Sequence, residues 1–258
     1  MHLGAKKIAT NLAGKSNGKT FTSEHLDFIK SEKPDIMTTS SFNDSSDDTK
    51  VMKAVWQDLY DNGCFLCCAA GNDDIAGCHD LAKGDLWKTV GACEYNKDLK
   101  RAYYSAIDAE LDFMSFSGLK TSYRGKKENG TSFASPLFAG MLALVQDFFI
   151  TKTGKKLTHE KLLKFVIDNC IDLGEEGKDD NYGYGLFILP DPAKINIYKY
   201  GDVKMFKDNT EYEKAIEYLV EQNEMDSSEL WKERIKKDND VNLMWFCIKW
   251  ANAVARSK

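Results

Sequence analysis

The run "CFLCCAAGN", Cys64 to Asn72, decides the fold class. It stays apolar from Cys64 to Ala70 and then turns at Gly71-Asn72. A strand with one wet face alternates apolar and polar side chains. An unbroken apolar run is instead the pattern of a strand covered on both faces, as in a parallel sheet between helix layers. The flanks agree. Upstream, a helix capped by Asp47 or Asp48 carries Val51, Met52, Val55 and Leu59 at helical spacing and closes at Asn62-Gly63. Before it, "DIMTTSS" (35–41) reads as a strand, preceded by a helix over "TSEHLDFIKSEKP" (22–34) that Pro34 ends. "KKIATNLAG" (6–14) reads as the first strand and "LWKTVGAC" (86–93) as another. "THEKLLKFVIDNC" (158–170) is an amphipathic helix with Thr158 as cap, and "YGYGLFILP" (182–190) a terminal strand or hairpin arm. Strands alternating with helices predict right-handed crossovers and a three-layer α/β fold with a mostly parallel sheet.

Composition narrows the function. The 258 residues carry a formal net charge of −5, which disfavours nonspecific binding to nucleic acid or anionic membranes. No basic stripe interleaved with aromatics occurs, so no nucleic-acid partner is expected. No membrane partner is expected either. The apolar stretch from Pro136 to Ile150 is interrupted by Gln146 and Asp147 and is short for a span. The first residues lack the apolar core of a signal peptide. The seven cysteines are odd in number and scattered, which fits reduced, buried thiols and points to a cytoplasmic or virus-associated setting. Cys67 and Cys68 are adjacent on a strand and point to opposite faces, so they do not converge with Cys78 and His79 on a tetrahedral metal.

From about Phe206 onward the pattern is helical. Tyr212, Ala215, Ile216 and Leu219 form one stripe; Leu230, Trp231 and Ile235 a second; Leu243, Phe246, Cys247, Trp250 and Val254 a third. We expect a main domain over 1–200 and a helical module over 206–258.

Two stretches carry chemistry. In "ENGTSFASPLFAGMLALVQDFF" (128–149), Gly130-Thr131-Ser132 stands at a turn before an apolar helix. A helix N-terminus offers free N–H groups and a partial positive charge. A hydroxyl there can attack a carbonyl while its own N–H binds the oxyanion. Ala134 and Ser135 leave room for a substrate backbone, and Pro136 is expected in the first turn, where it costs no hydrogen bond. Taken alone, Ser132 is more simply a helix cap. The second stretch is the end of "CFLCCAAGN", because loops at the carboxyl ends of parallel strands are where α/β proteins hold ligands. Asn72 there would donate its amide to an oxyanion; taken alone, it is an ordinary turn residue.

Together the two resemble one family. "NGTSFASP" is similar to the nucleophile motif of the subtilisin-like serine proteases and "AAGN" to their oxyanion-asparagine segment. "DIMTTSSFND" resembles a wall of the substrate channel, "ELDFMSFSG" the segment before the nucleophile loop, and "NYGYGLFIL" the strand that closes the domain. The likeness covers roughly residues 5–192 in matching order. It implies a serine endopeptidase with Ser132 as nucleophile and Asn72 as oxyanion donor. The substrate, a peptide or protein, would lie between Ser40, Ser41 and Phe42 on one side and Ala69, Ala70 and Gly71 on the other, with Thr131 at its turn. Phe42 stands where the family usually has small glycines and would narrow the first specificity pocket. No cofactor is implied. Calcium occurs in many relatives, but its ligands are not assignable here.

The resemblance is incomplete. The family's aspartate lies in a segment like "DTG" and its histidine in one like "HGTHVAG"; neither is present. His2, His25, His79 and His159 do not match the base. The resemblance therefore implies an N-terminally truncated subtilisin-like fold, with the base supplied by upstream sequence, by a complementing segment or chain, or not at all. In the last case the chain is a noncatalytic pseudoprotease, a peptide-binding or regulatory protein on the same scaffold. Residues 206–258 are also weakly similar to helical modules of phage-type cell-wall lytic enzymes.

Overall fold

A computed structural model describes residues 23–40, 49–73, 85–120, 125–201, 211–225, 227–238 and 241–257. The strand expected at 6–14, Ser41, Phe42, the cap at Asp47 or Asp48, and Cys78, His2 and His79 lie outside them, as does the side chain of His25.

The elements in order are α1 (Ser23–Glu32), β1 (Ile36–Thr39), α2 (Thr49–Asp61), β2 (Phe65–Ala69), β3 (Trp87–Glu94), β4 (Leu111–Ser117), β5 (Leu119–Lys120), β6 (Lys127–Glu128), α3 (Thr131–Thr153), α4 (His159–Asp168), β7 (Cys170–Ile171) and β8 (Leu186–Phe187). A 3-10 turn at Pro192–Lys194 leads into α5 (Ile197–Tyr200), α6 (Tyr212–Glu221), α7 (Ser228–Asp238) and α8 (Val241–Ser257). Among the described residues the main sheet has the order β1-β2-β3-β4-β8-β7. It is parallel except where β7 returns antiparallel to β8. The fold is thus α/β with a mostly parallel sheet.

β2 is buried at every position, as its unbroken apolar run predicts. Its entry is set by the end of α2: Gly63 sits at φ +85°, and Cys64 N–H returns to Leu59 C=O at 2.9 Å. This is a glycine-ended helix cap. Phe65 N–H then donates to Asp35 C=O at 2.9 Å and starts the ladder to β1. Leu26 and Ile29 of α1 and Val55, Trp56 and Leu59 of α2 join one core with Leu66, Cys68, Trp87, Leu111 and Met114. Helix α3 sets Phe138 against Phe65 (β2), Phe113 (β4) and Phe187 (β8), with ring centroids 6.4, 5.1 and 5.8 Å apart.

The segment "ELDFMSFSG" contains a full central strand, β4, which strand-by-strand reading of the sequence passes over. Its pairing with β3 slips between Thr89 and Val90, leaving Asp112 as the extra residue of a bulge. The Asp112 carboxylate fills the gap, accepting from Thr89 N–H at 2.9 Å and pairing with Lys178 at 3.2 Å. A polar residue inside an apolar strand is therefore structural here.

The closing strand is shorter than "YGYGLFILP" predicts. Gly185, at φ +104°, brings two backbones so close that an added Cβ would lie 2.2 Å from Ile171 C=O. Its own carbonyl accepts from Met114 N–H at 2.9 Å and ties β8 to β4. Gly185→Ala is expected to destabilise the protein by about 3 kcal/mol or more, since the backbone neighbour cannot yield. Chemical denaturation measures this; a loss under about 1 kcal/mol would contradict the close approach.

α3 is longer than the apolar stretch alone implied, and by length and composition it could cross a bilayer. Here Ala134, Phe138, Leu142, Val145 and Phe149 along it are core. It begins at Thr131, so Pro136 is its sixth residue and lies beyond the first turn where it was expected. The missing N–H falls opposite Ser132 C=O, and Ser40 Oγ donates to that carbonyl at 3.1 Å.

The described chain divides into two compact units, Met1–Asp147 with Thr158–Pro190, and Phe148–Leu157 with Asp191–Lys258. In the second, Ala215, Ile216 and Leu219 of α6 pack with Ile235 of α7 and with Cys247, Ile248, Ala251 and Val254 of α8. Phe246, placed in the apolar stripe by sequence, is 54% exposed, and Ile248 takes the inner position. Asn196 caps α5 with its Oδ1 and donates from Nδ2 to Ala255 C=O at 3.0 Å.

Candidate active site

β1 and β2 end side by side, and their carboxyl ends face the start of α3. Three sets of hydrogen bonds fix this junction. From β2, Asn72 Oδ1 accepts from Thr131 N–H at 2.9 Å and from Thr131 Oγ1 at 3.1 Å. From β1, Ser40 holds Ser132 C=O, and Thr38 Oγ1 meets Ser135 Oγ at 2.8 Å. From the β3–β4 side, Gly130 N–H donates to Ser117 Oγ at 2.9 Å and to Tyr104 Oη at 3.0 Å. Tyr104 Oη donates to Ser117 Oγ at 2.9 Å, and Ser117 Oγ donates to Gly130 C=O at 3.2 Å. The turn before α3 is thereby locked. Gly130 itself sits at φ +133°, a conformation that favours glycine.

The Asn72 lock decides which way its amide points. Thr131 N–H can only donate, so the atom facing it is Oδ1. Nδ2, with its two N–H donors, is left for another partner, and no protein acceptor faces it among the described residues. The amide lies against the turn: a Cβ on Gly130 would be 3.7 Å from Oδ1 and 3.8 Å from Nδ2. At the helix start, Phe133 N–H and Ala134 N–H both turn to Gly130 C=O. Ser132 N–H has no acceptor among the described residues, and Ser132 is partly exposed. The Asn72 amide and the Ser132 N–H thus both stand at the start of α3, where N–H groups without a helical acceptor can receive an anionic oxygen.

Of the other residues singled out by sequence, Thr131 is buried, and its hydroxyl also accepts from Gly71 N–H at 3.2 Å. Gly71 C=O accepts from Ala106 N–H at 3.1 Å, so both backbone groups of Gly71 are engaged inside the protein. Ala69 and Ala70 are buried, and Ala70 N–H donates to Val90 C=O at 2.9 Å. Ser40 is half-buried. Ala134 and Ser135, read from the sequence as leaving room for a substrate backbone, are instead buried, with Ser135 Oγ turned to Thr38. Tyr104, Ser117 and Thr38 escape a sequence reading, because hydroxyls in loops and near strand ends follow no periodicity. Cys67 lies beneath Thr38 and Ser135 and donates to Met37 C=O. Burial pushes its thiol up to about 11 against the smaller pull of those two hydroxyls, so it is an inert neighbour rather than a rival nucleophile.

His159 is placed far from Ser132. It opens α4 and stacks on Phe65 at 4.9 Å and edge-on to Tyr60 at 4.6 Å. Phe65 starts β2 whereas the candidate site lies beyond its end, ~13 Å along the strand. Neither ring nitrogen closes a hydrogen bond of ordinary geometry. Burial holds the imidazole's pKa below its usual value, with the Lys88 charge adding to this and the Cys64 backbone and Glu160 opposing it. A lowered pKa means the fold prefers the neutral ring. The resulting stability is complete above the unfolded pKa near 6.5 and declines as pH falls below it. Melting temperature is therefore expected to drop between about pH 7.5 and 5.5 more for the wild type than for His159→Phe. Equal drops would remove His159 from the acid response.

Among the described residues, His, Cys, Asp and Glu side chains form no metal-binding group. Asp112 and Glu110 share a polar pocket of about 290 Å³ at the opposite strand ends, but Lys178 and Thr89 N–H already engage Asp112.

The Subtilase family model (peptidase S8) matches residues 4–185. The minor extracellular protease Epr of Bacillus subtilis (strain 168) is 25% identical over 177 residues, covering 67% of this chain and 26% of that protein. Subtilisin DY of Bacillus licheniformis is 33% identical over 125 residues, covering 45% of this chain and 44% of that protein. Among solved structures, a lanthipeptide protease superposes with a TM-score of 0.52 at 18% identity, over 64% of this chain and 62% of that one. The prenylagaramide maturation protease PagA gives 0.54 at 18% identity, over 65% and 63%. These structures share the fold. The chain spans between 26% and 63% of the length of these relatives.

Proposed function

The chain belongs to the subtilase family, and on that premise we propose that it carries the nucleophile and oxyanion half of a serine peptidase site acting on peptide or protein substrates. Ser132 Oγ attacks the scissile carbonyl and loses its proton to a base. The carbonyl oxygen, now anionic, receives hydrogen bonds from Asn72 Nδ2–H and Ser132 N–H. Collapse breaks the C–N bond, the base returns the proton to the leaving amine, and water releases the acyl group from Ser132. The base and its carboxylate come from outside the described residues. The observation that carries this reading is the lock of Asn72 Oδ1 on Thr131, which leaves the amide donors free at the turn that precedes Ser132. A helix cap would need neither the asparagine nor its orientation.

The test is hydrolysis of a fluorogenic peptide library by the protein made from its native reading frame. Turnover lost in Ser132→Ala supports the proposal; turnover that survives the substitution sinks it. A second reading, a noncatalytic peptide-binding protein on this scaffold, is favoured by the position of His159, whose ring packs at the wrong end of β2. A serine without a base is a poor nucleophile. Binding of library peptides without turnover or acyl-enzyme would select that reading.

A further inference from the structure

We infer that Ser40 is a positioning residue for the nucleophile, acting through the Ser132 carbonyl; this rests on the reading of Ser132 as nucleophile. The need for it is written in the chain. In α3 the carbonyl of Ser132 should receive the N–H of residue 136, four positions on. That residue is Pro136, which has none. An unfilled carbonyl near a helix start leans outward, rotating its peptide plane, and the Cα of Ser132 rotates with it. Ser40 Oγ donates to this carbonyl at 3.1 Å from the end of β1. A strand-end hydroxyl thus replaces the missing helical bond and fixes the peptide plane that carries the nucleophile. The neighbouring Thr38–Ser135 contact at 2.8 Å sets the same strand against the same turn, which holds Ser40 in reach. The Ser40 hydroxyl therefore points into the protein, and its contribution to catalysis is made behind the nucleophile rather than against substrate.

The proline supplies its own control. Pro136→Ala restores a backbone N–H opposite Ser132 C=O and makes the Ser40 hydroxyl redundant. The experiment is a double-mutant cycle of Ser40→Ala and Pro136→Ala, with Ser40→Thr as the conservative variant, in protein made from its native reading frame. The readout is the rate of covalent labelling of Ser132 by a fluorophosphonate probe across probe concentrations. Ser40→Ala is expected to slow the limiting labelling rate about tenfold, the rate equivalent of one net hydrogen bond. The probe concentration giving half that rate stays unchanged. Ser40→Thr retains most of the rate. In the Pro136→Ala background, Ser40→Ala costs less than about twofold. Equal losses in both backgrounds, or no loss in either, overturn the inference. If the wild type itself takes no label, the peptidase reading falls, and the cycle is read instead by amide hydrogen exchange over residues 131–138. Faster exchange in Ser40→Ala that Pro136→Ala reverses still supports the carbonyl pairing; additive changes overturn it.

Discussion

Ser132→Ala is expected to lower peptide hydrolysis by a factor on the order of 10⁶, the scale on which removing a serine nucleophile acts when the rest of a triad is in place. The fold should survive the change. Ser132 is partly exposed, and its recorded contact is through its backbone carbonyl, which alanine keeps. The variant should therefore melt within a few degrees of the wild type while its turnover disappears. Steady-state kinetics at matched protein concentration measure this. A fall of less than about tenfold would mean that another group performs the attack.

Asn72→Ala is the second large effect, an expected 10²–10³-fold loss in kcat, the usual cost of one oxyanion donor. KM should change little, because the amide meets the oxygen only as it becomes anionic. Asn72→Asp should be no better. It keeps an acceptor for Thr131 N–H but loses both donors and places a negative charge against the developing oxyanion. Thr131→Val separates orientation from donation. It removes the hydroxyl that donates to Asn72 Oδ1 and accepts from Gly71 N–H, while leaving the Thr131 N–H contact. About a tenfold loss is expected there, the worth of one hydrogen bond in an otherwise intact lock. If Asn72→Asp matched the wild type, Asn72 would be a structural acceptor and not an oxyanion donor.

The strongest signals in the sequence were those with a physical period or a fixed local geometry. The unbroken run at Cys64–Ala70 gave β2 with both faces covered, and Asn62-Gly63 gave the end of α2. Thr158 was legible as a cap because its side chain meets Lys161 N–H within one helical turn. β4 was not legible as a strand, since Asp112 and Ser115 break its apolar pattern. Their environment explains them: Asp112 fills a bulge set by pairing with β3, and that pairing is invisible along the chain. Pro136 was misplaced by a few residues because nothing in "NGTSFASP" marks the first helical residue. The true start at Thr131 turns the proline from a neutral choice into a gap that Ser40 fills. The Tyr104–Ser117–Gly130 cradle joins residues up to 26 positions apart and leaves no trace in local pattern. His159 likewise reads as a helix-start residue, and only its ring contacts with Tyr60 and Phe65 show that it packs among aromatics at the start of β2.

The central claim is that Ser132 is an activated nucleophile. It is tested most directly by treating protein made from its native reading frame with a fluorophosphonate probe and mapping the adduct by tryptic mass spectrometry. The account predicts a single stoichiometric adduct on Ser132, absent from Ser132→Ala and slowed in Asn72→Ala. An unlabelled Ser132, or an adduct on a different residue, would contradict it.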